Sequence, residues 1–171
     1  MVLACALLVA VLTRTEPQTP AAIHVSVAAA TAHVGAPAPD FATERIDGGP
    51  LRLSQFHGKP VLLNFWATWC GACQEEMPLI ERANERYAPI GLTVLAINYR
   101  QTDARSIVGF LKKVHAQFPA LYDPAGRIAD AYGVSVGLPV SVFIDRTGRV
   151  SFIQLGQISD PILAAQLHKI L

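Results

Sequence analysis

The stretch Val61-Leu-Leu-Asn-Phe-Trp-Ala-Thr-Trp-Cys-Gly-Ala-Cys-Gln-Glu-Glu-Met-Pro78 constrains this chain more than any other. Val61 to Trp66 is an apolar run of strand length, rich in β-branched and aromatic residues. The pattern breaks at Ala67-Thr68-Trp69 and resumes at Cys70 as an amphipathic helix. Two cysteines separated by two residues therefore sit where a buried strand hands over to a helix. The free N–H groups and the positive end of the helix dipole favour a thiolate there and lower the pKa of Cys70. Cys73, one turn further in, is close enough to form a short disulfide with Cys70 and release whatever Cys70 has captured. Such a pair is the minimum equipment for thiol–disulfide exchange.

Composition narrows the alternatives. The chain has 171 residues, enough for one domain with a real core. Its formal charge of +1 and lack of a basic cluster give no footprint for nucleic acid. Three cysteines do not make a disulfide-stapled framework, because two form the Cys70/Cys73 pair and Cys5 stands alone. Half of a zinc site would need two further ligands at metal spacing, and the five histidines (His24, His33, His57, His115, His168) are scattered. No metal site is expected.

Met1 to Leu12 is apolar and ends at Thr13-Arg14-Thr15-Glu16-Pro17. A dozen residues fall short of the roughly 20 that a helix needs to span a bilayer core. The length suits the apolar part of a signal peptide, although a basic segment ahead of it is missing. Val2-Leu3-Ala4-Cys5 resembles a lipoprotein processing box, and Ala30-Thr31-Ala32 a cleavage pattern before His33. The bland alternative is an Ala/Thr/Pro tail. Export is the favoured reading, with residues 1–33 as a leader, anchor or linker and residues 34–171 as the folded domain.

Along that domain, Val34 to Phe41 reads as an extended lead-in with Phe41 as its core anchor. A short hairpin turns at Asp47-Gly48-Gly49, and Ser54 caps a helical turn through Phe56. The helix from the cysteines runs to about Tyr87, with Pro78 inside it predicting a kink. Leu92 to Asn98 is a second apolar strand, which implies a right-handed parallel crossover. Thr102 or Asp103 caps a helix to about Ala116. Ala120 to Tyr122 is a strand and Arg127 to Tyr132 a short helix. Val140–Ile144 and Val150–Leu155 form a hairpin, and a last helix starts at Asp160-Pro161. The predicted fold class is α/β, a mixed central sheet with helices on both faces and an N-terminal hairpin extension.

Phe65-Trp66-Ala67-Thr68-Trp69-Cys70-Gly71-Ala72-Cys73, the following Glu76-Met77-Pro78, and Gly137-Leu138-Pro139 before Val142-Phe143-Ile144-Asp145 together resemble the thioredoxin superfamily. Within it, Val34 to Phe41 and the lead-in from Leu51 to Pro60 resemble the TlpA/ResA-like membrane-associated reductases, an AhpC/TSA-Redoxin-like group. The resemblance covers Val34 to Leu171 and implies a thioredoxin-like fold. It implies that Cys70 is the attacking thiolate and Cys73 the resolving thiol. The redox-active Cys70–Cys73 disulfide is then the only redox group, with no other cofactor. It further implies that Pro139 is a cis-proline opposite the pair, bringing the backbone of Leu138 beside the Cys70 sulfur as an edge for an extended substrate segment. The alternative for Pro139 is an ordinary trans turn.

Two positions depart from the thioredoxin pattern. Gly71-Ala72 lacks the proline common in the second place between the cysteines, and Asn64 stands where thioredoxin carries a buried aspartate. Asparagine cannot take a proton from Cys73, so Glu76, matching the acidic position of the ResA-like proteins, is the candidate for proton transfer. Its alternative, and the main reading for Glu75, is a charge complementing the helix dipole. Trp66 and Trp69 are read first as packing, with Trp69 also shielding the disulfide and lining the substrate groove.

The resulting expectation is an exported thiol–disulfide oxidoreductase that reduces protein disulfides outside the cytoplasm, in the periplasm or on the outer membrane face, anchored by its apolar N-terminus. By resemblance its substrate is apocytochrome c and its electron donor a membrane thiol protein; a monomer is expected. The same pair can run as reductant, oxidant or isomerase according to its potential and its partner's. Two other classes remain open. Gly35-Ala-Pro-Ala-Pro-Asp-Phe41 also resembles the start of peroxiredoxins, which makes a thiol peroxidase an alternative. A copper carrier or a protein-binding module with an idle disulfide is the non-catalytic one.

Overall fold

The computed structural model describes residues 23–134 and 137–171. The apolar segment from Met1 to Leu12 and Cys5, with the leader, lipidation and anchor readings placed on them, lie outside the described residues. Among the described residues the strands and α-helices follow in the order β1 Ser26–Val27, β2 Phe41–Glu44, β3 Pro50–Arg52, β4 Val61–Trp66, α1 Gly71–Tyr87, β5 Thr93–Tyr99, α2 Ala104–Lys113, β6 Ala120–Asp123, α3 Arg127–Ala131, β7 Val140–Ile144, β8 Val150–Leu155 and α4 Asp160–Ile170.

The apolar run Val61–Trp66 becomes the middle strand of a five-stranded sheet ordered β6-β5-β4-β7-β8, and all six of its residues are buried. β4 runs parallel to β5 and antiparallel to β7; β5 and β6 are parallel, β7 and β8 antiparallel. The fold is thioredoxin-like α/β, with a mixed sheet covered on both faces.

Side chains alternate across β4 and feed two separate cores, as the period of two requires. Leu62 and Trp66 join Cys70, Cys73, Met77 and Ile80 of the α1 region and Leu163, Leu167 and Ile170 of α4 on one face. Ile107 of α2 joins the same core. Val61, Leu63 and Phe65 point the other way, to Phe41, Leu51, Ile128 and Tyr132. That second face is closed by α3 and by the small antiparallel sheet β1-β2-β3.

The hairpin around Asp47-Gly48-Gly49 pairs Thr43 with Leu51 and Glu44 with Pro50. Asp103 is the N-cap of α2, its Oδ1 accepting from the Arg105 and Ser106 N–H groups at 3.1 and 3.4 Å. Ser159 occupies the N-cap of α4, with Asp160 and Pro161 in its first turn. Pro78 lies inside α1 without ending it. The helix is closed by a 3₁₀ turn, Ala88–Ile90, and by Gly91 in the left-handed region (φ 108°), where a side chain would be strained.

The fold also takes in residues ahead of Val34. β1 pairs Ser26 with Ala42 and Val27 with Phe41. Ala28 N–H donates to the Asp40 carbonyl and Ala32 N–H to the Ala131 carbonyl, both at 2.8 Å. A cut before His33 would remove this strand and both bonds. No helix among the described residues is long and apolar enough to cross a membrane.

Phe41 is fully buried and meets the Tyr132 ring edge-on, with centroids 6.3 Å apart. The Tyr132 hydroxyl donates to the Pro39 carbonyl at 2.8 Å, which fastens the lead-in to α3. Phe41→Ala is expected to cost about 3–5 kcal/mol, the range for truncating a buried phenylalanine. Urea titration should show a lower midpoint with an unchanged slope.

Candidate active site

β4 ends at Trp66, the chain turns through Ala67, Thr68 and Trp69, and Cys70 becomes the N-cap of α1. Its Sγ accepts a hydrogen bond from the Cys73 N–H at 3.1 Å, one of the donors that a helix start leaves without a partner in the helix. Cys70 and Cys73 form a disulfide with their Cα atoms 5.2 Å apart. The two sulfurs are not equivalent. Cys70 keeps 7% of its surface exposed and Cys73 none, so an incoming protein reaches Cys70 first.

The Leu138–Pro139 peptide bond is cis. β7 begins at the next residue, and the pairing of Phe65 with Val140 sets Pro139 beside the end of β4, where the chain leaves for Cys70. The Pro139 carbonyl accepts from Gly156 N–H at 2.9 Å. Leu138 is half-buried and packs against the core that contains both cysteines.

The two tryptophans separate. Trp66 is fully buried, its ring 5.0 Å from that of Phe110. Trp69 is 65% exposed, which corrects the packing reading for this residue. The turn after β4 ends the strand alternation, so Trp69 enters neither core and stands next to Cys70 in sequence and in space.

Glu76 is 2% exposed, which a charge complementing the dipole from the surface would not be. Its Oε1 accepts from Asn64 Nδ2 at 2.7 Å and its Oε2 from Ile158 N–H at 2.9 Å. The second amide hydrogen of Asn64 is shared with Ser141 Oγ, 3.1 Å away. Burial pushes the Glu76 carboxyl above the usual glutamate range, and the two N–H donors hold it partly back. Spacing of three residues on α1 sets Glu76 on the helix face of Cys73. Asn64 thus holds a buried acid from β4 instead of supplying one. Glu75 is exposed and lies 3.4 Å from Gln157 Nε2.

A second set of amides carries no signal in the sequence. Thr68 N–H donates to Gln101 Oε1 at 2.7 Å, and Gln101 Nε2 donates back to Thr68 Oγ1 at 2.7 Å. Asn98 Nδ2 reaches Gln101 Oε1 at 3.0 Å, and Gln74 Nε2 reaches the Thr68 carbonyl at 2.7 Å. No local pattern marks Gln101, because the contact spans 33 positions of chain.

No group of three or more His, Cys, Asp or Glu side chains among the described residues could hold a metal ion. The five histidines are exposed, and Met77 is buried in the core.

Comparison with known proteins agrees with this geometry. The AhpC/TSA family matches residues 34–153. Thiol-disulfide oxidoreductase ResA of Bacillus thuringiensis subsp. konkukian is 37% identical over 68% of this chain, which spans 66% of that relative's length. ResA of Geobacillus thermodenitrificans is 34% identical over 80% of this chain and 78% of its own. A solved structure from Chlorobium tepidum, assigned as thiol:disulfide interchange protein DsbE, superposes with a TM-score of 0.75 at 33% identity. It covers 82% of this chain and 99% of its own.

The raised Glu76 pKa fixes the sign of a stability effect. The folded protein binds that proton more tightly than the unfolded chain, so stability falls as pH rises from the ordinary value of 4.5 through the raised folded value, then levels. Glu76→Gln should make this fall shallower, leaving the part contributed by Asp123, whose carboxyl burial also raises. Paired urea titrations of the oxidised wild type and variant, at about pH 4 to 9, check it.

Proposed function

Because the chain belongs to the AhpC/TSA family, among its ResA-like thiol–disulfide oxidoreductases, we propose that it is an exported reductase of protein disulfides. One observation carries the reading: Cys70 caps a helix and takes the Cys73 N–H, with cis-Pro139 beside the strand end and Glu76 buried behind. In the reduced protein the same N–H and the helix dipole stabilise a Cys70 thiolate.

That thiolate attacks one sulfur of a substrate disulfide, expelling the other as a thiolate and forming a mixed disulfide. Cys73 then loses its proton, with the Glu76 carboxylate as acceptor, and attacks the Cys70 sulfur. The second substrate sulfur leaves as a thiolate, and Cys70–Cys73 closes. Two electrons pass from the pair to the substrate. Leu138 and Pro139 offer backbone, and Trp69 an exposed ring, to the extended segment that carries the substrate disulfide.

A membrane thiol protein returns the electrons, and apocytochrome c is the substrate class. The support for both is similarity to ResA-like proteins. Action outside the cytoplasm is supported by that similarity and by the apolar stretch Met1–Leu12.

Cys70→Ser is expected to abolish insulin reduction, while Cys73→Ala should accumulate mixed disulfides, visible as adducts on non-reducing gels. Full activity in Cys70→Ser would overturn the reading. So would hydrogen peroxide consumption faster than insulin reduction, which would favour a peroxidase.

A further inference from the structure

We propose that Gln101 is a positioning residue for this reaction: through its paired hydrogen bonds to Thr68 it fixes the turn that presents Trp69 and Cys70 to a protein substrate. The proposal rests on the exchange reading above and deepens it by naming what sets substrate docking at that site.

Thr68 has every polar group engaged. Its N–H and Oγ1 are taken by the two ends of the Gln101 amide, and its carbonyl by Gln74, each at 2.7 Å. The residue after it is Trp69, exposed to 65%, and the next is Cys70. Ala67 at the start of the turn is packed in the core, but Trp69 is not, so these hydrogen bonds define how the turn continues to Trp69. Gln101 is fixed in turn, because Asn98, fully buried on β5, donates to its Oε1 at 3.0 Å.

A second observation points the same way. Arg100 has φ 52°, the left-handed region that residues with a Cβ rarely enter. The surroundings hold it there. Its N–H donates to the Asp123 carbonyl at 3.0 Å, and its guanidinium lies 5.0 Å from the Tyr99 ring centroid and 3.5 Å from Asp130 Oδ1. The guanidinium also fills the space beside Gly126, where a Cβ would come within 2.4 Å of Arg100 Nε. A costly backbone turn, secured from four sides, directly precedes the residue that grips Thr68. The Gln101 set shares no hydrogen bond with Glu76, Asn64 and Ser141. Docking geometry and thiol chemistry thus have separate supports, which makes the role measurable.

The test compares insulin reduction kinetics with the pH midpoint of Cys70 alkylation by iodoacetamide in Gln101→Ala, Gln101→Glu and Thr68→Val. Gln101→Ala is expected to raise KM about tenfold, with kcat and the alkylation midpoint unchanged. Gln101→Glu keeps an oxygen for Thr68 N–H and Asn98, and can accept the Thr68 hydroxyl, so it should recover most of the loss. Thr68→Val should raise KM by a smaller factor, and the Gln101→Ala/Thr68→Val double variant should be no worse than Gln101→Ala. Where Gln101→Ala does not fold, Thr68→Val decides alone. An unchanged KM overturns the proposal, as does a KM rise accompanied by a shifted alkylation midpoint, or Gln101→Glu as impaired as Gln101→Ala. A wild-type protein that leaves insulin intact strikes the exchange reading itself, an outcome distinct from a working wild type with an equally good Gln101→Ala.

Discussion

The hydrogen bond from Cys73 N–H to Cys70 Sγ is the contact on which the rest of the structure depends. It exists only if a helix begins at Gly71, with its first N–H groups still free, and if that beginning stays in one place. Six buried residues of β4 supply the fixed point before it. Met77, Ile80 and Ala83 on the inner face of α1 supply the one after it, packed against the sheet with Leu163 and Leu167 of α4. A sulfur at a helix cap gains from oriented dipoles only while the helix is held against something rigid. The sheet and both cores serve that requirement.

Around the sulfur pair the supporting groups divide into two independent sets. Asn64 of β4 donates to Glu76 and to Ser141 on the adjacent strand, and the Ile158 N–H reaches Glu76 from the loop ahead of α4. Desolvation works against the ionised acid and these donors work for it, and the net effect is a carboxyl held above the usual glutamate range. On the far side, Asn98 and Gln101 hold the turn from β4 to α1. Amides suit that task because one planar group offers both a donor and an acceptor.

Much of this is legible in the chain itself. Strand β4 and helix α1 announce themselves through an unbroken apolar run followed by helical periodicity, and the β7–β8 hairpin through its turn at Asp145–Arg149. The cis bond at Pro139 is different: only a family resemblance suggests it, since no local pattern separates it from a trans turn. β1 is hidden because two residues in a tract of small side chains carry no periodicity; their pairing comes from β2. The burial of Glu76 is hidden as well, because Ile158, 82 positions away, closes over it. Gln101 is silent for the same reason, an exposed-looking amide whose partners are assembled only by the crossover from β4 to β5.

The unequal exposure of the two sulfurs also bears on how the protein fails. A strong oxidant in excess can drive an accessible thiolate past the disulfide level to sulfinic and sulfonic acids, which thiols do not reverse. Of the two, Cys70 alone has surface to offer such a reagent. Irreversible damage would therefore fall on the Cys70 sulfur and spare its buried neighbour. An intact second cysteine would remain in the core, with no partner left to close the Cys70–Cys73 disulfide.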